Sequence, residues 1–178
     1  MKYVTVFCAS HEGNDPALVQ AAVQLGKSLA QRGLGLVYGG TNIGLMRVMA
    51  DSVLAEGGQV VGIIPSQFEE KRFAHQGLTE LVTVHSIDER KTQLIARAQA
   101  IIAFPGSWGT MEELFAALVQ RMLGYINTPI GLLNINGYYD PLLAQFQQMV
   151  SKGMMEPRTA ALLQVASSGD DLLDALFA

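Results

Sequence analysis

Residues Pro105 to Glu113, PGSWGTMEE, follow the apolar run AIIAF and lead straight into LFAALVQRML. A strand that breaks at Pro-Gly, loops through small residues and enters a helix at Thr110 leaves backbone N–H groups facing the crevice at the strand's end, where phosphate binds. Gly106, Ser107, Trp108, Gly109 and Thr110 are therefore candidate substrate-binding residues. Glu112 and Glu113 fall in the first turn of the same helix, so a loop able to hold an anion also carries acid/base or cation-stabilising groups. The pairing points to chemistry on a phosphorylated sugar. Plainer roles fit the same residues. Thr110-x-x-Glu113 is itself a capping box in which Glu113 reaches back to the Thr110 N–H. Glu112 complements the helix dipole, and Trp108 either stacks on a base or packs against its own loop.

Two further clusters fall at the ends of strands. In YGGTNIGLMRVMAD, Gly39, Gly40, Thr41 and Gly44 stand between a strand and a helix. Glycines there permit positive φ and close approach of backbone to phosphate, although a tight turn alone also explains them. The segment lacks the Gly-Lys-Ser/Thr ending of a Walker A loop, and its spacing is not GxGxxG. In SIDERK, Arg90 lies one turn into a helix. Arginine is no base at working pH, but its planar fork clamps a phosphate or positions a ribose and its leaving base. A solvated helix face is the alternative for Arg90, and more so for Lys91. His11, His75 and His85 have no ligand-like spacing, so no metal site is expected. Neither a GxSxG elbow nor a Cys/His constellation is present, which leaves acyl transfer unsupported.

The elements that must position these clusters alternate along the chain. Tyr3 to Ser10 is a strand. Pro16 to Arg32 is an amphipathic helix with Leu18, Ala22, Leu25 and Leu29 on one stripe, started by Asp15-Pro16 and stopped by Gly33. LGLVYGG, QVVGIIP, ELVTVHS, AIIAFPG and PIGLLNI are further strands. Leu45 to Glu56, a helix opened by SIDE, Thr110 to Leu123 and Tyr139 to Lys152 are helices. Ser86 and Glu89 form a capping box in which each satisfies the other's backbone donor. A short LLQVAS run precedes a final amphipathic helix, and SQFEEKRFAHQG is a polar stretch. Continuous apolar strands separated by helices require a mainly parallel sheet covered on both faces, an α/β Rossmann-like doubly wound fold. Ligands of such sheets sit outside the carboxyl ends of the strands near a topological switch point, and the three clusters fall there.

Bulk properties narrow the function. The 178 residues form one domain, 1–178, long enough to bury about 70% of the unfolded surface. Hydrophobic residues make up 49% and charged ones 16%, a low charge fraction for a monomer, so apolar surface is expected to meet another subunit. The helix from Leu114 to Leu123 is apolar nearly all round, which places it in an internal core or across a subunit boundary. A net charge of −4 without blocks of like charge argues against nucleic acid as a partner. Cys8 is the only cysteine, a buried thiol that fits a reducing cytoplasm. No signal peptide is recognisable, and no apolar span of ~18 residues is present to cross a membrane.

Taken in order, YGGTNIGLM, GIIP, HSIDERK, PGSWGTMEE and PIGLLNINGYYDPLL resemble the LOG family of cytokinin riboside 5′-monophosphate phosphoribohydrolases, from Val4 to about Met155. Members have often carried the label "lysine decarboxylase", but the sequence offers no pyridoxal phosphate site. The resemblance implies hydrolysis of the N-glycosidic bond of a nucleoside 5′-monophosphate to free base and ribose 5-phosphate, without cofactor or metal, in a homodimer. By motif position Arg90 and Glu113 match the family's catalytic pair, and Gly106, Ser107, Gly109 and Thr110 its 5′-phosphate loop. The chain departs from the family pattern at Thr41, Arg47, Arg72, Ser107 and Val119. The alternative is a non-catalytic nucleotide-binding or sensing protein on the same scaffold.

Overall fold

The computed structural model describes residues 1–67 and 73–178, so Arg72 lies outside the described residues. Seven strands form one sheet: β1 (Lys2–Phe7), β2 (Leu34–Tyr38), β3 (Val60–Pro65), β4 (Glu80–Val84), β5 (Ala100–Ala103), β6 (Ile130–Leu133) and β7 (Leu163–Ala166). Their order is β4-β3-β2-β1-β5-β6-β7, and every neighbouring pair is parallel. The connecting helices are α1 (Pro16–Gln31), α2 (Gly44–Ala55), α3 (Ile87–Ala96), α4 (Trp108–Met122), α5 (Asp140–Ser151), the short α6 (Pro157–Ala160) and α7 (Gly169–Leu176).

Parallel strands need crossovers, and the crossover helices bury both faces of the sheet. The alternation of side chains along each strand divides the core in two. Val4 and Val6 of β1, Leu36 and Tyr38 of β2 and Ile102 of β5 pack with α1, α2 and α7. Phe7, Val37, Val61, Ile63 and Ile101 pack with Leu94 and Ile95 of α3, Leu114 and Ala117 of α4, and Tyr139. The expected doubly wound architecture is the one observed. The strands are shorter than the apolar runs suggest: the tails Cys8–Ser10, Gly39–Gly40 and Phe104–Gly106 lie beyond the last ladder residues. These tails form the carboxyl rim of the sheet.

Chain order reverses beside β1, with β2 on one side and β5 on the other. The helices following β1 and β5 therefore leave toward opposite faces, and a crevice opens between the two strand ends.

Candidate active site

Arg90 is carried into this crevice by a firmly anchored helix. The Ser86 hydroxyl accepts the Glu89 N–H at 3.1 Å, capping α3, and the buried Thr5 hydroxyl of β1 donates to the Leu94 carbonyl at 2.7 Å. The Glu89 carboxylate accepts from the His85 N–H at 2.8 Å rather than from Ser86, so the expected reciprocal box is displaced by one residue. From this base the guanidinium is held twice. Its Nε donates to the Ile63 carbonyl at the end of β3 at 3.0 Å, and Nη1 donates to Glu113 Oε1 at 3.1 Å. The remaining Nη2 lies over Gly39, where any Cβ would overlap it.

Glu113 is 7% exposed. Burial pushes its carboxyl up to about 7, while the Arg90 charge pulls it down; Glu112 adds a smaller upward push and Lys91 a smaller downward pull. The site thus holds a carboxyl that titrates near neutrality, fixed in place by a forked cation. Cys8 at the end of β1 is buried, as expected, and burial holds its thiol well above its ordinary range, with the Glu113 charge adding to the effect.

The structure corrects the start of the motif helix. α4 begins at Trp108, not Thr110, with Ser107 at the N-cap and no side chain capping it. Thr110 is therefore inside the first turn, and Glu112 and Glu113 belong to the second. The capping-box role falls away, because the Glu113 carboxylate faces Arg90. First-turn N–H groups of a helix have no partner within the helix, so those of Trp108, Gly109 and Thr110 are presented at this end. A Cβ at Gly106 would overlap the side chain of buried Thr110, whereas one at Gly109 would meet open space. Trp108 is 89% exposed, which rules out packing against its own loop.

Lys91 is not a solvated cation. Its ammonium donates to Glu112 and, at 3.2 Å, to Asp88. Two adjacent ion pairs, Arg90–Glu113 and Lys91–Glu112, thus tie α3 to α4.

The glycines of the other cluster serve close packing. Gly39 makes room for Arg90. Gly40 takes φ +73° against the β3 backbone, and a Cβ at Gly44 would overlap the backbone of Ser10. Residues 73–75 run alongside: Gly40 accepts the His75 N–H at 3.0 Å, and Phe73 accepts the Asn42 N–H at 2.8 Å. The Thr41 hydroxyl is 3.2 Å from the Met46 sulfur, and Arg47 pairs with Glu12 at 3.2 Å.

Two clefts open along this rim. One of about 300 Å³ is walled by Ser10, Gly39, Thr41, Met46, Phe73 and Arg90. The other, of about 180 Å³, is walled by His11, Gly13, Pro105, Gly106, Ser107 and Tyr138. The site so assembled has a buried carboxylate–guanidinium pair, unpartnered helix N–H groups and adjoining space for a small ligand. Among the described residues no three His, Cys, Asp or Glu side chains gather as metal ligands, and no helix is long and apolar enough to cross a membrane.

No residue pattern in the sequence singles out the Ile63 carbonyl, Tyr138 or Tyr139. A backbone acceptor leaves no residue-type signal. The tyrosines do follow an Asn-Gly turn signal, but nothing in their spacing says which loop they reach.

Comparison with known proteins shows the family and the fold. A family model described as "Possible lysine decarboxylase" matches residues 46–176. A probable cytokinin riboside 5′-monophosphate phosphoribohydrolase of Oryza sativa subsp. japonica is 39% identical over 170 residues, covering 96% of this chain and 76% of the relative. A cytokinin riboside 5′-monophosphate phosphoribohydrolase of Rhodococcoides fascians is 40% identical over 176 residues, covering 98% of this chain and 89% of the relative. One from Arabidopsis thaliana is 35% identical over 172 residues, covering 97% and 79%. Among solved structures, the molybdenum cofactor binding protein of Rippkaea orientalis superposes with a TM-score of 0.75 at 22% identity, covering 99% of this chain and 98% of that one. The likeness to it is one of fold.

Proposed function

Because this chain belongs to the family that the "Possible lysine decarboxylase" model describes and that includes cytokinin riboside 5′-monophosphate phosphoribohydrolases, we propose that it hydrolyses the N-glycosidic bond of a nucleoside 5′-monophosphate. It is a phosphoribohydrolase, and the products are free base and ribose 5-phosphate. Lysine decarboxylation is a poor fit. That chemistry uses an aldehyde cofactor held by a lysine amine, and Lys91, the lysine of this site, is bound up with Glu112 and Asp88.

The observation that carries the proposal is the buried Arg90–Glu113 pair next to the uncapped start of α4. Cleaving the bond between ribose and base develops positive charge on the sugar. A fixed, ionised carboxylate in a water-poor site stabilises that charge far better than water does, because it needs no reorganisation as the charge appears. Glu113 takes this role and orients the attacking water or the ribose hydroxyls. Arg90 cannot donate its proton; it holds Glu113 in register and offers its exposed edge to the nucleotide and departing base. The N–H groups at Ser107, Trp108, Gly109 and Thr110 hold the 5′-phosphate, which fixes the anomeric carbon. Trp108 offers an open aromatic face for the base, of which adenine and N6-modified adenines are the favoured class.

The active form is a homodimer. Phe115, Val119, Met122 and Leu123 of the α4 segment are 40%, 47%, 50% and 56% exposed, and an apolar groove of about 250 Å³ runs between Phe115, Val119, Met122, Phe146 and Met149. Apolar exposure on that scale calls for a partner. Light scattering of the purified chain should return twice the monomer mass. The lone buried thiol fits a cytoplasmic setting.

Incubation with AMP and isopentenyladenosine monophosphate, with released base followed chromatographically, tests the activity directly. Release supports it; affinity without release from any nucleotide would leave the binding-protein alternative. Gly39→Ala supplies a finer check. Its methyl group occupies the place of Arg90 Nη2, so kcat/KM should fall about tenfold to a hundredfold while the melting temperature changes by only a few degrees. An unaltered kcat/KM would separate the Arg90 position from turnover.

A further inference from the structure

We propose that Tyr138 is a positioning residue that locks the Gly106–Ser107 peptide with its N–H, rather than its carbonyl, available to the substrate phosphate. The inference rests on the phosphate-loop role given above. The Tyr138 hydroxyl donates to the Gly106 carbonyl at 2.6 Å. In a planar trans peptide the carbonyl and the following N–H point in opposite directions, and the chain has no cis bonds among the described residues. Holding the Gly106 carbonyl therefore also sets the direction of the Ser107 N–H. Without that bond, a peptide next to glycine is free to rotate as a unit. The rotated form would turn a carbonyl oxygen, and its negative end, toward an anion.

The brace is itself rigid. The preceding turn places Asn136 at φ 49° and Gly137 at φ 72°, and Asn136 is the only non-glycine residue with positive φ among those described. Such strain persists only where the surroundings impose it. Here Asn136 Nδ2 donates to Asp15 at 3.1 Å, Asn134 Oδ1 accepts the Tyr139 N–H at 2.7 Å, and Asn134 Nδ2 donates to Asp140 at 2.7 Å. The turn delivers two consecutive tyrosines to one loop. Their rings meet edge to face, with centroids 4.9 Å apart. Tyr138 lines the cleft beside Gly106 and Ser107.

Tyr139 provides an internal control. Its buried hydroxyl donates to the Phe104 carbonyl at 2.7 Å, but the nitrogen of that peptide belongs to Pro105 and carries no hydrogen. Tyr139 braces the same loop without aiming a donor. The two tyrosines thus separate loop stiffness from donor orientation.

The test compares Tyr138→Phe, Tyr139→Phe and wild type in calorimetric binding of AMP, ribose 5-phosphate and adenosine, with kcat and KM for AMP. Tyr138→Phe should weaken AMP and ribose 5-phosphate binding and raise KM by about tenfold, leave adenosine binding unchanged and change kcat less than about threefold. Tyr139→Phe should lower the melting temperature without altering the preference for phosphorylated ligands. The same loss of AMP affinity in both variants, or none in Tyr138→Phe, overturns the proposal. A wild type that binds AMP no better than adenosine overturns the phosphate-loop role, and the brace with it.

Discussion

Glu113→Gln is expected to lower base release about a thousandfold while leaving the AMP dissociation constant within about threefold of wild type, the pattern of a group whose main contribution is made in the transition state. Glutamine keeps the shape and still accepts from Arg90, but it brings no negative charge to a sugar that is becoming cationic. Wild-type pH dependence should show the same requirement. With the carboxyl lifted to about 7 by burial against the pull of Arg90, kcat/KM should rise with pH and level off above that value. An activity that instead falls above pH 7 would make Glu113 a proton donor. Equal release by both proteins would remove it from the mechanism.

The same substitution has a stability effect of opposite sign. A carboxyl raised in the folded state binds its proton more tightly there than in the unfolded chain. Its favourable contribution is complete below the ordinary carboxyl range and is lost as pH rises through about 7. Glutamine has no such loss. The variant should match wild type near pH 4.5 and become more stable by up to roughly 3 kcal/mol above pH 7, read as a melting temperature that diverges with pH. A carboxylate held at the expense of stability is what the proposed catalytic role of Glu113 requires.

Much of this arrangement was legible from the sequence, for physical reasons that differ by element. The central strands are fully covered on both faces, so Leu34–Tyr38, Val60–Pro65 and Ala100–Ala103 stand out as unbroken apolar runs. The Asp15-Pro16 signal located α1 because the Asp15 carboxylate does cap it, at 2.9 Å from the Ala17 N–H. The start of α4 was misplaced by two residues because Thr110-x-x-Glu113 has the pattern of a capping box, and local pattern cannot show that a guanidinium from α3 outbids a backbone N–H for Glu113. Residue type leaves Gly39 open between close approach to phosphate and a tight turn, and it cannot show that a Cβ there would overlap Arg90 or that one at Gly106 would overlap Thr110. Lys91 resembles a solvated cation until α4 brings Glu112 beside it. Each miss concerns a contact between segments distant in sequence, which is set by the way the sheet is wound.

Arg90→Ala is expected to be the most disruptive single change, because it removes the hold on Glu113, the hold on the Ile63 carbonyl and the cation proposed to face the nucleotide. Base release should fall by about a hundredfold to ten-thousandfold, and the acid limb should move above 7 because the charge that pulls Glu113 down is gone. Stability should fall by about 3–5 kcal/mol where Glu113 is ionised, the usual result of stranding one member of a buried pair. Below pH 6 the loss should be smaller, because Glu113 then takes up a proton and no charge is stranded. Arg90→Lys restores the charge but not the fork: one ammonium cannot reproduce the fixed geometry that meets Ile63 at 3.0 Å and Glu113 at 3.1 Å. It should recover stability more fully than turnover. The decisive comparison adds Glu113→Gln to Arg90→Ala. If the pair acts as a unit, the double variant releases base no more slowly than the slower single variant, and at pH 8 adding Glu113→Gln stabilises Arg90→Ala by more than it stabilises wild type. Strictly additive effects in both readouts, losses of turnover and changes of stability alike, would mean that the two residues work separately.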